Sequence, residues 1–492
     1  MSTRNPSRRD LFRLAAGGLA VAALPILRRT AGGAPGAMAK ARRLLVINLA
    51  GGIRSSAAFL ASAQTRFNPW GLIPNVGGPF ALGAVLDDAL PTATPIPDAD
   101  YVLGPAWHGV RVPRFREVAN RFSVVGTWST ERGYHARARL EEPSGDPTGV
   151  APGLLTRVAA GLTAATAKQL EIPAFHLTPL AKFGGGEGAL ARHVPVALDT
   201  WKNLPSTGDA DPTADLFTGR DWASDEAMRD RFDRRRVASR AGLGRMLADT
   251  ATSHRRAGRI IGARLAMSDM AVGDSALGSA ALGTVNLDGV GAVPLTNAML
   301  AELFTLCMAP VSNDRPRRED PLDAALAVRL LQLGSPAVTL ELPGFDLHST
   351  ERALAPALYS YLGRLWATLS WLLPRIDDPS GEGSLFDRTL VTTMSDFGRD
   401  PGGPNGWNAG EGSDHGNDPS CFYLAHPVMG AGTLGGRLIG GVRTDTFDAR
   451  AEPSRNAPPQ FLATLLAALG LDAHSDEYGF PQAGPAIGAL WP

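Results

Sequence analysis

Three short segments in the C-terminal third of the chain bring carboxylates and imidazoles together. They are Gly344-Phe345-Asp346-Leu347-His348-Ser349, Ser395-Asp396-Phe397-Gly398-Arg399 and Gly412-Ser413-Asp414-His415-Gly416-Asn417. Asp346 and His348 are two residues apart, so an extended backbone aims both side chains the same way. Carboxylates with imidazoles form the ligand set of zinc, manganese or a similar divalent ion. Any one Asp-x-His pair is more often a turn cap or a surface pair, and Asp414-His415 in a Gly-rich loop also suits an Asx-turn. Three such elements next to strand ends raise the competing reading, one shared polar site.

The strand ends are themselves read from apolar runs. Residues 42–49, ended by Gly51-Gly52, and residues 122–127, 337–342, 388–394 and 421–424 read as strands. Helical patterns cover residues 134–142, 150–168, 321–333, 352–373 and 458–469, with Gly334, Pro374 and Gly470 as stop signals. Strand and helix alternate, so the expected fold class is α/β, a doubly wound, mostly parallel sheet with helices on both faces. Ligands in such sheets bind outside the carboxyl ends of the strands, where the three segments fall. Residues 205–320 break the pattern: an Arg-rich stretch and then an Ala-, Gly- and Ser-rich one read as an inserted helical or irregular region.

The N-terminus carries a different kind of signal. Ser7-Arg8-Arg9-Asp10-Leu11-Phe12 precedes an apolar run from Leu14 to Leu27, and Ala37-Met38-Ala39 offers small residues for a peptidase. Residues 1–39 therefore read as a cleavable twin-arginine signal, with residues 40–492 as the exported part and the twin-arginine machinery as a partner. A periplasmic or secreted location follows. Arg28 and Arg29, just after the apolar run, keep a retained anchor helix as the alternative.

The whole chain has 48 basic and 48 acidic residues, and residues 1–39 hold six Arg against one Asp. The remainder, 42 basic against 47 acidic, has a net charge of −5. That is not the basic footprint of a nucleic-acid binder. Cys307 and Cys421 are the two cysteines, too few for a disulfide framework, and they read as separate buried thiols.

Taken together, the signal, Gly-x-Asp-x-His-Ser, Ser-Asp-Phe-Gly-Arg and the Asp-His before a strand resemble the domain-of-unknown-function family 1501. That family is similar to the alkaline phosphatase/sulfatase superfamily. The resemblance implies an alkaline-phosphatase-like sheet with a divalent-metal site of zinc, manganese or calcium at its carboxyl edge. Metal binding carries over to Asp346, His348, Asp396, Asp414 and His415. Ser129, Thr130 and His135 fall where relatives carry catalytic Ser/Thr and His, and no single nucleophile stands out.

One departure concerns Gly51-Gly52-Ile53-Arg54, where relatives have a ligand Asp shortly after the glycines. A guanidinium repels a cation but can hold an oxyanion, so Arg54 and Arg399 become candidate substrate-binding residues and one ion is expected in place of two. Arg399 equally suits a structural ion pair. The implied activity is hydrolysis of a small phosphate or sulfate ester. The alternative is an exported, non-catalytic binding or scaffold protein that kept the fold.

Overall fold

The computed structural model describes residues 41–74, 76, 79–88, 97–129, 133–148, 151–166, 174–177, 190, 193, 195–197, 283–307, 320–401, 403–416, 418–447 and 456–492. The signal reading at 1–39, Thr130 and most of 205–320 lie outside the described residues.

The first strand, β1 (Arg43–Ala50), is apolar on both faces. Leu45, Ile47 and Leu49 enter one hydrophobic core, and Leu44 and Val46 enter a second core across the sheet. A strand buried on both sides carries a continuous apolar run, which is why this segment is legible without alternation. The other strands are β2 (Ser123–Trp128), β3 (Phe175–Leu177), β4 (Val196–Ala197), β5 (Thr284–Leu287), β6 (Gly291–Pro294), β7 (Ala337–Pro343), β8 (Thr389–Ser395), β9 (Tyr423–Met429) and β10 (Leu438–Ile439).

Eight of these form one sheet in the order β10-β2-β9-β8-β1-β7-β3-β4. Within it β9 runs antiparallel to β2 and β8, and the remaining pairs are parallel. β1 lies at the centre, between β7 and β8, so the loops after all three strands leave from one edge.

Helices cover both faces. The chain forms α1 (His135–Ser144), α2 (Leu154–Thr166), α3 (Asn297–Cys307), α4 (Asp320–Gln332), α5 (Glu351–Leu372), α6 (Leu385–Arg388) and α7 (Pro458–Ala468). Leu300 of α3, Leu326 of α4 and Leu362 of α5 join the core of Leu45 and Ile47, whereas Leu154 of α2 and Leu465 of α7 join that of Leu44 and Val46. Each fully buried leucine contributes about 1.5–3 kcal/mol, so both faces are held by apolar burial. The α/β class and the mostly parallel sheet expected from the sequence are present.

Of the region expected as an insertion, the described residues include one hairpin and one helix. β5 and β6 pair as a separate hairpin, but α3 belongs to the main core, with Leu303 and Phe304 fully buried. The Trp107 indole N–H donates to the Met299 carbonyl at 3.0 Å, tying α3 to the N-terminal half. Its apolar positions were hidden in a small-residue context without clear periodicity. Cys307 and Cys421 are both buried free thiols, as expected.

Candidate metal centre

Four side chains meet at the carboxyl edge of the sheet: His135, Asp346, His348 and His415, with one ligand atom from each lying within 4.8 Å of the others. Each arrives from a different part of the chain or the same extended loop, and each arrival has a local cause.

Asp346 and His348 follow β7. Phe345 and Leu347 are buried, 2% and 7% exposed, while the Asp346 and His348 side chains are 42% and 48% exposed. Extended alternation therefore turns the polar pair outward together. The Gly51-Gly52 turn after β1 lets this loop come close. Both glycines have positive φ, +113° and +98°, and a Cβ on Gly51 would sit 2.3 Å from the Asp346 backbone nitrogen. No side chain fits there.

His415 lies on a loop that packs onto the β7 loop through Ser413 N–H donating to the Leu347 carbonyl at 3.1 Å. Its ring stacks on Phe397, with centroids 4.2 Å apart, and His135 packs on the same phenyl ring at 4.5 Å. His135 opens α1, after β2.

The hydrogen bonds fix the direction of all three imidazoles. His135 Nδ1 lies 2.9 Å from Asp396 Oδ2, His348 Nδ1 lies 3.0 Å from Asp414 Oδ1, and His415 Nδ1 lies 2.9 Å from the Gly133 carbonyl. Carbonyls and carboxylates only accept, so each Nδ1 carries a proton, and each Nε2, which holds a lone pair in the neutral form of the ring, is turned toward the cluster. These lone pairs converge. His415 Nε2 is 3.2 Å from His348 Nε2, and His348 Nε2 is 3.1 Å from Asp346 Oδ1. His135 Nε2 is 3.2 Å from Asp346 Oδ2, yet it is buried and makes no hydrogen bond. With the rings neutral, lone pairs and a carboxylate gathered in this way repel one another unless a cation, a metal ion or protons, lies among them. The cluster could thus hold a metal ion, and its outer layer of carboxylate and carbonyl acceptors is the usual support for metal-ligating histidines.

Asp396 and Asp414, expected as direct ligands, instead stand behind histidines. Asp396 is buried and also accepts from Arg139 Nε at 2.9 Å. The carboxylate that completes the ligand group is Asp346, and the third imidazole is His135, which the sequence placed with the catalytic candidates.

Arg399 is fully buried and donates to Asp346 Oδ1 at 2.8 Å, to the Gly51 carbonyl at 3.0 Å and to Ser413. It positions Asp346; the ion-pair alternative is the one that this geometry fits. Partial burial works to raise the Asp346 pKa, but the Arg399 hydrogen bond, the Arg399 charge and the protonated forms of His135 and His348 bring it below the ordinary carboxylate value. The His348 hydrogen bond likewise lowers the Asp414 pKa. Burial lowers the pKa of His415, and Arg399 adds to that shift. All three shifts favour the protonation states that bind metal.

Arg54 does not reach the cluster. Its side chain is fully buried and forms a close ion pair with Glu351, with a second N–H on the Gly406 carbonyl at 2.9 Å. Trp70 and Trp407 lie against the guanidinium, at 5.7 and 5.1 Å. The substrate role expected for Arg54 fails on this geometry, because the charge is already neutralised inside the fold. Ser129 is also engaged, its hydroxyl donating to both Glu141 oxygens at 2.7 and 2.8 Å. Glu411 pairs with Arg352 and Asp418 with Arg66.

Sequence reasoning missed Arg139. It lies four residues after His135, one helical turn on, so the two share a face of α1. That i,i+4 spacing was the available signal. Its side chain is 53% exposed beside the cluster. Burial works against its charge, but Asp396, Glu341 and Asp346 outweigh that and raise its pKa.

No curated protein matches the chain by sequence. A solved structure titled "Crystal structure of Ps i-CgsB" aligns with a TM-score of 0.36 at 9% identity, over 92% of this chain and 76% of that one. The chain matches a family profile over residues 98–485, a span that takes in every residue of the cluster, and it belongs to the family described as protein of unknown function, DUF1501.

Proposed function

We propose that the chain is an exported, divalent-metal-dependent hydrolase of small phosphate or sulfate esters. The observation that carries this reading is the convergence of three Nε2 lone pairs on the Asp346 carboxylate, with each Nδ1 held by an acceptor behind it. Three nitrogen donors and one carboxylate suit zinc or manganese and disfavour calcium, which takes oxygen ligands. The four ligand atoms form one group among the described residues, in keeping with a single ion. A bound divalent ion would supply Lewis-acid polarisation of an ester oxygen.

The chain's own residues would do the rest. Asp396, Asp414 and the Gly133 carbonyl keep the imidazoles in one tautomer and orientation. Arg399 keeps Asp346 ionised and in place. Arg139, half exposed and anchored through Nε on Asp396, stands beside the site and suits an anionic ester. The exposed faces of Asp346 and His348 leave room for a substrate to approach. Export through the twin-arginine route would carry a chain folded around its metal.

The test is hydrolysis of 4-nitrophenyl phosphate and 4-nitrophenyl sulfate by the full chain, with zinc or manganese added and then removed by chelator. Metal-dependent turnover that is lost in His348→Ala supports the reading. A chain that binds the metal but is inert on both esters supports the non-catalytic binding alternative.

A further inference from the structure

A cavity of about 620 Å³ borders the cluster, and His135 and Asp396 are part of its lining. Its floor is one face of β1, β7 and β8, and its walls come from α1 and the start of α2. Side chains alternate along a strand, so Val46, Asn48 and Ala50 share this face with Leu44. Leu44, Ala337 and Leu390 belong to the second core on the same face, and the cavity takes over where that core stops.

Helix α1 begins at the cluster and leads away from it. The lining follows α1 from His135 to Pro143, about 12 Å at the usual helical rise. Most of it is hydrocarbon, from Val46, Leu140, Pro143, Leu154, Leu155 and Met394. Its carboxylates are engaged from within the fold. Asp396 accepts from His135 and Arg139, Glu341 accepts from Asn48 Nδ2 at 3.3 Å, and Glu142 accepts from the Ser395 N–H at 3.4 Å. What the cavity presents to an occupant is therefore chiefly apolar surface. Protein interiors pack with few voids larger than a water molecule, and this volume falls in the ordinary range for small-molecule pockets.

We propose that the cavity is a subsite for an uncharged apolar group, an alkyl chain or an aryl ring, attached to the group that the cluster holds. In the ester-hydrolase reading, on which the substrate class rests, that apolar group is the alcohol part of the ester. The phosphate or sulfate stays at the His135 end, by the cluster and Arg139. The apolar body lies along Leu140, Leu154, Leu155 and Met394. The class is thus an alkyl or aryl ester, not a sugar phosphate or a nucleotide, whose hydroxyls and further charges are costly to bury against hydrocarbon. The pocket itself does not depend on the reaction.

Isothermal titration of the full chain with 1-butanol, 1-pentanol and 1-hexanol tests the pocket without any ester. Each added methylene should tighten binding about four-fold, the gain expected for one buried CH₂. 1,6-Hexanediol and 6-amino-1-hexanol carry a hydroxyl or an ammonium at the far end, and each should bind at least about five-fold more weakly than 1-hexanol. Leu140→Trp, at a partly exposed wall position, should narrow the cavity and abolish the dependence on chain length. If that variant does not fold, the alcohol series on the parent still decides. Binding should persist in His415→Ala, which separates the pocket from the metal. Affinities that do not rise with chain length, 6-amino-1-hexanol binding as tightly as 1-hexanol, or an unchanged series in Leu140→Trp overturns the proposal. A chain that shows the series but hydrolyses no ester keeps the pocket and loses the ester reading alone. A chain that hydrolyses the esters without the series keeps that reading and loses the pocket.

Discussion

Two charged regions meet at the Gly51-Gly52 turn, and they solve the same problem in opposite ways. On one side Arg54 is sealed between Trp70 and Trp407, with Glu351 and the Gly406 carbonyl as partners. The opposite charges are paired within the chain, with only Arg54 Nε left without a hydrogen-bond partner, and solvent is excluded. On the other side Asp346 and three imidazoles point acceptor at acceptor, half open to solvent, and every Nδ1 is tied down so that the rings cannot turn away. A network that closes on itself needs no ligand. A network that is held rigid while its lone pairs face one another does. Buried charge therefore separates structural from functional sites only when the partners are counted.

The sharpest way to break this comparison is to remove one member from each region. His348→Ala should abolish metal uptake and leave the unfolding transition of the metal-free chain little changed, because its side chain is half exposed. Arg54→Ala should do the reverse. It leaves Glu351 buried without its cation, a change that costs about 3–5 kcal/mol, while the metal content stays the same. Urea titration and metal analysis on both variants read the two effects side by side. If Arg54→Ala lost metal at full stability, the division would be misplaced.

Smaller effects should come from the residues behind the histidines. Asp414→Asn and Asp396→Asn keep the shape but weaken the acceptor for Nδ1, and each should lower metal affinity by about 10–100-fold. Competition with a chromogenic chelator would measure this; affinities equal to the parent would mean that the histidines are held by packing on Phe397 instead.

The gentlest probe is acid. Burial lowers the His176 pKa well below its ordinary value, so this β3 imidazole stays neutral in the fold. Below about pH 6.5 the unfolded chain binds a proton there and the folded chain does not. Stability should thus fall as pH drops below that point, by up to about 1.4 kcal/mol per pH unit from this group. It should be flat in pH above it. Unfolding of the parent and of His176→Gln at pH 7.5 and 5.5 should differ in slope; identical slopes would show that His176 is not the source.

How much of this was legible beforehand depended on the kind of signal. Strands β1, β7 and β8 were readable because burial on both faces makes their sequences rich in apolar and β-branched residues, and the Asp346/His348 alternation followed from extended geometry alone. The roles within the cluster were not readable. Whether a carboxylate binds a metal or supports a histidine turns on a few ångströms that spacing does not encode, and only the structure puts Asp396 and Asp414 behind His135 and His348. His135 lies 280 residues before His415, and only the pairing of β2 with β9 brings them together. Arg54 misled because its partners, Glu351, Trp70 and Trp407, are distant in sequence. The carboxylate expected at that position from the family resemblance then stood as the nearest clue. The core position of α3 was masked by its small-residue flanks.

The central claim, that the converging imidazoles and Asp346 exist to hold a cation, is tested most directly by metal analysis of the full chain. Protein purified without chelator, then titrated with zinc and with manganese, should bind one divalent ion per chain, and His415→Ala should bind none. A parent chain that takes up neither ion at neutral pH, or a His415→Ala chain that binds as the parent does, would contradict it.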